Sequence, residues 1–116
     1  KILDDHNIIY QASGPNYLQD LSECKAIIGT TGFSLIADSI YLKKPYFGVP
    51  LKKQFEQLYN AYFLRQSGLG EFSENATKKE LELFFNNLQN YKDKLVQYHF
   101  DPTEQEEVLE TLLKKL

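Results

Sequence analysis

Three short runs in the first half of the chain are apolar almost throughout. They lie at residues 7–12 (NIIYQA), 25–29 (KAIIG) and 46–49 (YFGV). Runs of this length without polar alternation are typical of strands buried on both faces of a parallel sheet. Turn residues follow the first run and a proline follows the third. The pattern therefore predicts three buried strands.

The stretches between and after these runs carry apolar residues at helical spacing. One set repeats at intervals of three and four residues before Pro45, and another does so before Gly68. These sets are Phe33, Ile36, Ala37, Ile40 and Tyr41, and then Phe55, Leu58, Tyr59, Tyr62 and Phe63. They predict a helix over 30–43 and a second helix that stops at Gly68. A shorter helix is expected over 16–23, and Gly70 is expected to mark a turn.

The last third of the chain contains two helix-start signals. Thr77 and Glu80 have the spacing of a capping box, and Asp101-Pro102 places a proline at a first helical position. Apolar stripes follow both starts: Leu81, Phe84, Phe85 and Leu88, and then Val108, Leu109, Leu112, Leu113 and Leu116. The predicted order is three strands alternating with helices, followed by three more helices. This order predicts a single α/β domain over residues 1–116, with a parallel sheet flanked by helices.

Composition narrows the classes of protein and partner. The net charge of −3 argues against a nucleic-acid partner, which requires a basic face. Cys24 is the single cysteine, so an intrachain disulfide and a cysteine-based zinc site are excluded. No apolar run approaches the roughly 20 residues that span a bilayer. We therefore expect a cytoplasmic protein. Cys24 is expected to be a packing residue, and His6 and His99 are expected to lie on the surface.

The candidate chemistry lies where the predicted strands end. Ligands of open α/β sheets bind at the carboxyl ends of the strands, which places Ser13-Gly14, 29–34 and 50–57 along one edge. The segment 29–34 (GTTGFS) joins a strand to a helix N-terminus and is rich in small residues. Free N–H groups and a partial positive charge at such a terminus can bind a phosphate. A tight strand–helix turn without a ligand is the alternative reading of this segment.

Polar side chains near this segment can contact the rest of a nucleotide. Ser34 and Asp38 are four residues apart, so they share one helix face at roughly 5–6 Å. A carboxylate there can accept hydrogen bonds from ribose hydroxyls. Glu56, Gln57 and Asn60 begin the next helix and can bind sugar hydroxyls. Each of these residues has an alternative interpretation as part of a solvated helix face.

Residues 24–61 resemble the C-terminal domain of GT-B glycosyltransferases, in particular the MurG-like family 28, which uses UDP-N-acetylglucosamine. The resemblance is carried by a glycine loop, an acidic helix residue and a Gln…Asn-Ala pattern after a Val-Pro strand end. The residues are Gly32, Asp38, Pro45, Val49-Pro50, Gln57 and Asn60-Ala61, in that order. The resemblance implies a partial GT-B C-terminal domain with a Rossmann-like sheet. It departs from the family pattern at Asp38, where Glu is usual, at Lys43-Lys44, and at Glu56, where Gln is usual.

The resemblance also implies roles for individual residues and for partners. The diphosphate of a UDP-sugar would face the backbone around Thr31, Gly32, Phe33 and Ser34, and Asp38 would bind its ribose. Glu56 and Gln57 would contact the donor sugar, and Ser13 and Gly14 would meet the uracil.

GT-B enzymes generally need no bound metal, so we expect no cofactor beyond the UDP-sugar substrate. The family's N-terminal acceptor domain, which carries the catalytic base, is expected to be missing, together with the first βα units of the donor domain. We therefore expect the chain to be inactive by itself. A membrane-associated acceptor, with the full enzyme peripheral on the inner face of the membrane, is compatible with the family.

Two other functions fit the same pattern. One is a UDP-sugar 2-epimerase, which binds diphosphate and ribose in a similar way. The other is a non-catalytic module that keeps the fold without the nucleotide. The 16 Phe and Tyr residues fall mostly on the helical stripes, where core packing is their expected role. Some of them are expected to form an exposed apolar patch through which the chain self-associates.

Overall fold

The computed structural model describes residues 17–99 and 102–115. These residues form six helices and three strands. In chain order they are α1 (Tyr17–Glu23), β1 (Ile27–Gly29), α2 (Phe33–Tyr41), β2 (Tyr46–Gly48), α3 (Phe55–Ser67), β3 (Gly70–Phe72), α4 (Lys78–Asn86), α5 (Leu88–Gln97) and α6 (Pro102–Lys115). The predicted strand at 7–12 lies outside the described residues.

The three strands form one parallel sheet in the order β1-β2-β3. Ile27 is in register with Tyr46, and Tyr46 is in register with Gly70. Each connection between neighbouring strands contains a helix, as parallel pairing requires. The predicted α/β fold with a parallel sheet flanked by helices is therefore confirmed.

The interpretation of Gly70 as a turn is wrong, because Gly70 begins the strand β3. A Cβ at this position would lie 2.1 Å from the backbone oxygen of Tyr46, so only glycine allows the two strands to approach this closely. A three-residue strand that contains one glycine and one glutamate has no apolar run that a sequence pattern could detect.

Successive residues of β2 point to opposite faces of the sheet, and each face has its own core. Tyr46 packs with Ile36 of α2 and Leu64 of α3 on one face. Phe47 packs with Leu81 and Phe84 of α4 on the other, where the Phe47 and Phe84 rings meet edge to face at 5.3 Å. Tyr46 and Phe47 are both fully buried, so burial of β2 on both faces explains its uninterrupted apolar run.

Local signals place several helix ends where the sequence predicted them. Thr77 and Glu80 form a complete capping box at the start of α4. Gly68 ends α3 in the left-handed conformation, with φ of 76°. The helix predicted over 30–43 is shorter at both ends: α2 begins at Phe33 and ends at Tyr41. Residues 30–32 instead form an irregular loop whose peptide groups are bound by side chains from other elements.

Candidate functional site

The loop of residues 30–32 connects β1 to α2 at the carboxyl edge of the sheet. Beside it runs the segment that follows β2, because Val49 N–H donates to the Gly29 carbonyl at 2.8 Å. Residues from two predicted edge segments, 29–34 and 50–57, are therefore neighbours. This proximity follows from the parallel pairing of β1 with β2.

Gln57 holds the two segments together. Its Oε1 accepts hydrogen bonds from Thr31 N–H at 2.8 Å, from the Thr31 hydroxyl at 3.0 Å and from Leu51 N–H at 3.3 Å. The Thr31 hydroxyl also lies 2.7 Å from the backbone oxygen of Gln57. Thr31 is fully buried and Gln57 is 8% exposed. Such a buried network is stable only if its polar groups are paired, which makes the loop position well defined.

Two further side chains bind the carbonyl groups of the same loop. The Tyr46 hydroxyl donates to the Thr30 carbonyl. Asn60 Nδ2 donates to the Thr31 carbonyl at 2.8 Å. Both carbonyls are therefore turned towards the protein.

Within the described ranges, 17–99 and 102–115, the N-terminus of α2 has no side-chain cap. Its N-cap residue is Gly32, which offers no side-chain hydrogen bond, and its first turn contains no acidic residue. The first N–H groups of a helix have no partner within the helix. At α4, in contrast, Thr77 and Glu80 supply a capping box. As far as the described residues go, the start of α2 thus keeps its N–H groups and its partial positive charge available to an anion.

Gln57 adds a side-chain donor to this position. Its Nε2 would lie 3.7 Å from a Cβ built on Gly32, so the side-chain amide faces the N-cap residue of α2. Within the described part of the chain, Nε2 has no hydrogen-bond acceptor, because every Gln57 side-chain bond there uses Oε1. A buried amide donor without an acceptor is costly unless a ligand or water binds it.

The other predicted site residues lie around this turn. Phe33 is 67% exposed, and Ser34 is also exposed at the helix start. Asp38 is partly buried one turn further along α2, on the face of Ser34. Glu56 is exposed in the first turn of α3. Ser13 and Gly14 lie outside the described residues.

The structure gives three predicted residues a contact that the sequence did not indicate. Gln57 and Asn60 each form hydrogen bonds with Thr31, so some of their polar atoms bind the loop. Tyr46 was not predicted as a site residue, because a tyrosine within an apolar strand has the pattern of a core residue. Only the three-dimensional proximity of its hydroxyl to Thr30 reveals its role.

Two of the cavities formed by described residues lie away from the start of α2. One, of about 240 Å³, lies against the segment after β2 and is bordered by Leu51, Phe55 and Leu58. The other, of about 350 Å³, lies at the edge of β3. Neither cavity includes a residue of the α2 start in its lining.

Metal binding and thiol chemistry have no support among the described residues. No group of three or more His, Cys, Asp or Glu side chains in the described ranges could hold a metal ion. Burial raises the pKa of the Cys24 thiol, which disfavours the reactive thiolate. No helix in the described ranges is long and apolar enough to cross a membrane.

A family profile described as Glycosyl transferase family 1 matches residues 3–89, which is most of the chain. The chain belongs to glycosyl transferase family 1. Comparisons with curated proteins and with solved structures gave no match. The region matched by the glycosyl transferase family contains the three-stranded sheet, the loop 30–32 and the start of α3. The chain is thus a GT-B glycosyltransferase domain, and its role lies in glycosyl transfer.

Proposed function

We propose that this glycosyltransferase domain binds the UDP-sugar donor, and that the start of α2 binds the donor's diphosphate. The helix start carries the proposal, together with Gln57 Nε2, which faces Gly32. Among the described residues, the helix start has no side-chain cap and Nε2 has no acceptor. Backbone and amide donors suit an anion because they supply positive potential without a mobile charged side chain. During sugar transfer the diphosphate gains negative charge as it leaves, and fixed N–H donors stabilise that charge.

Asp38 is the proposed ribose ligand. It lies on α2 four residues after Ser34, a spacing that puts the Cβ atoms of the two residues about 5–6 Å apart. Its carboxylate accepts hydrogen bonds from the ribose hydroxyls while the diphosphate remains at Gly32. Asp38 is one methylene shorter than the glutamate usual in the resembling family, so the ribose must approach α2 more closely.

The donor sugar would lie towards α3. Gln57 Nε2 and the exposed carboxylate of Glu56 are the polar groups that the start of α3 offers there. The proposed reaction transfers a hexosyl group to an acceptor hydroxyl without a metal cofactor. The MurG-like donor, UDP-N-acetylglucosamine, is the first donor to test. Family membership favours this reaction over the epimerase alternative.

An amide-resolved NMR titration with UDP tests the proposal. We expect shifts at Gly32, Phe33 and Ser34, because their N–H groups would bind the diphosphate. Asp38→Ala should weaken binding about tenfold, the loss expected for about 1.4 kcal/mol. Asp93→Ala removes an exposed carboxylate on α5 and serves as the control. Absence of shifts at millimolar UDP, or equal binding by Asp38→Ala, would contradict the proposed site.

A further inference from the structure

The two peptide groups before Gly32 are each fixed by side-chain hydrogen bonds. In the Thr30–Thr31 peptide, the carbonyl accepts from the Tyr46 hydroxyl and the N–H donates to Gln57 Oε1. In the Thr31–Gly32 peptide, the carbonyl accepts from Asn60 Nδ2 at 2.8 Å. Three hydrogen bonds therefore determine the orientation of two consecutive peptide planes.

These orientations decide where the Gly32 N–H points. The C=O and N–H groups of a trans peptide point in opposite directions. Because Asn60 holds the Thr31 carbonyl towards α3, the N–H of Gly32 is turned away from α3. The preceding Thr30–Thr31 peptide is kept from rotating by the hydrogen bond that its carbonyl accepts from the Tyr46 hydroxyl. A Cβ on Gly29 would lie only 2.9 Å from this hydroxyl, which indicates how closely it packs there.

We propose that Tyr46 and Asn60 are positioning residues that aim the Gly32 N–H at the donor diphosphate, an inference that rests on the proposed donor site. Tyr46 is fully buried and cannot touch the donor. It acts through the Thr30 carbonyl, and Asn60 acts through the Thr31 carbonyl. The loop then presents Gly32 N–H beside the N–H groups of Phe33 and Ser34, three donors for one diphosphate.

Tyr46→Phe and Asn60→Asp test the inference. The first removes only the hydroxyl and keeps the buried ring. The second keeps the shape of the side chain but replaces the donor with a carboxylate, which repels the Thr31 carbonyl. Tyr91→Phe is the matched control, because it removes a tyrosine hydroxyl on the opposite face of the sheet. The measurements are the amide spectrum of each variant and its affinity for UDP by NMR titration.

We expect both variants to keep the dispersed spectrum of the folded chain, with shifts confined to the loop and above all to Gly32. UDP should bind about tenfold more weakly to each of them, and Tyr91→Phe should bind UDP as the wild type does. A role in stability alone would not move the Gly32 amide resonance selectively.

The remaining outcomes overturn the inference in distinguishable ways. If the wild type binds UDP at Gly32 and both variants bind it equally well, the positioning role is wrong and the donor site stands. If both variants lose the folded spectrum, Tyr46 and Asn60 stabilise the fold and do not specifically orient the loop. If the wild type itself does not bind UDP, the donor site fails and the positioning role fails with it.

Discussion

Gly32 lies in the loop 30–32 and Gly48 packs against it, and a side chain would have a different effect at each position. A Cβ on Gly48 would lie 2.3 Å from Thr31 Cγ2, inside a fully buried contact. Among the described residues, a Cβ on Gly32 would meet only Gln57 Nε2, at 3.7 Å. The backbone of Gly32, with φ of −72°, is open to any residue. Gly48 is therefore required by packing, whereas Gly32 leaves space where a ligand is proposed to lie.

Substitution of each glycine by alanine separates these reasons. We expect Gly48→Ala to lower the free energy of unfolding by about 2–3 kcal/mol, because Thr31 must move within a packed core. Gly32→Ala should change that free energy by less than about 1 kcal/mol and should still weaken UDP binding, because the methyl group occupies the approach to the turn. Urea denaturation and UDP titration measure the two effects. Wild-type UDP affinity in Gly32→Ala would show that no phosphate approaches this turn closely.

At the scale of single residues, the sequence selected Gln57 and Asn60 as candidates but did not indicate the contacts that the structure gives them. Gln57 and Asn60 were predicted as contacts of the donor sugar. The structure joins both to the backbone of Thr31. These contacts connect positions 26 and 29 residues apart, so no local pattern could reveal them. Their predicted contact with the sugar stays a prediction.

The start of α4 is held by a local network that depends on ionisation. Hydrogen bonds from the Ser73 and Thr77 hydroxyls, and from Thr77 N–H, lower the pKa of Glu80 below its ordinary value. A carboxyl group with a depressed folded-state pKa stabilises the fold at high pH. This contribution is complete above the unfolded pKa, about 4.3, and is lost as pH falls through the lower folded pKa.

Glu80→Gln isolates this contribution, because glutamine can still complete the capping box but does not ionise. We expect its free energy of unfolding to fall less than that of the wild type between about pH 5 and pH 3. Glu82→Gln, an exposed change on the same helix, is the control. Urea denaturation at several pH values measures the difference. Parallel wild-type and Glu80→Gln curves would show that Glu80 titrates identically in both states.

The outer edge of β3 is closed by side chains. Ser73 N–H bonds to Gly48 on β2, so the polar groups of the preceding residue, Phe72, point to the other side. There, Phe72 N–H donates to Glu71 Oε1 at 2.9 Å and its carbonyl accepts from Arg65 Nη2 at 3.2 Å. Arg65 also pairs with Glu71 and lies over the Phe72 ring, 4.0 Å from its centre. This arrangement blocks addition of another strand.

Arg65→Met should open that edge while keeping an apolar stem on the Phe72 ring. We expect a loss of about 1 kcal/mol in stability, from the hydrogen bond to Phe72. Self-association should increase with concentration, because an unpaired strand edge can pair with a second copy. Sedimentation velocity at several concentrations measures this. Lys79→Met places the same side chain on exposed helix surface as a control. Equal sedimentation of both variants would show that Arg65 does not protect the edge.

At the scale of the molecule, alternation of apolar runs with amphipathic stretches was sufficient to predict the architecture. Parallel strands need covered crossovers, so the order of the elements largely determines the layers. The strand β3 was not predicted from the sequence, because the close approach of Gly70 to the Tyr46 backbone produces no apolar pattern. Exposed Phe33, Leu51 and Phe55 lie near the proposed site, and the predicted self-association of the chain through such a patch stays untested.

The proposed ligand should also change the stability of the whole fold. The proposed diphosphate site brings together β1, β2, α2 and α3 through the Gln57, Tyr46 and Asn60 contacts. UDP should therefore bind the folded chain and not the unfolded one. At a free UDP concentration 100 times Kd, linkage raises the free energy of unfolding by about 2.7 kcal/mol. Thermal unfolding with UDP and with uridine measures this effect. We expect a clear rise in Tm with UDP and a much smaller one with uridine, which lacks the diphosphate. Equal rises in Tm would show that the protein recognises the nucleoside and not the diphosphate. That result would contradict the assignment of the phosphates to the start of α2.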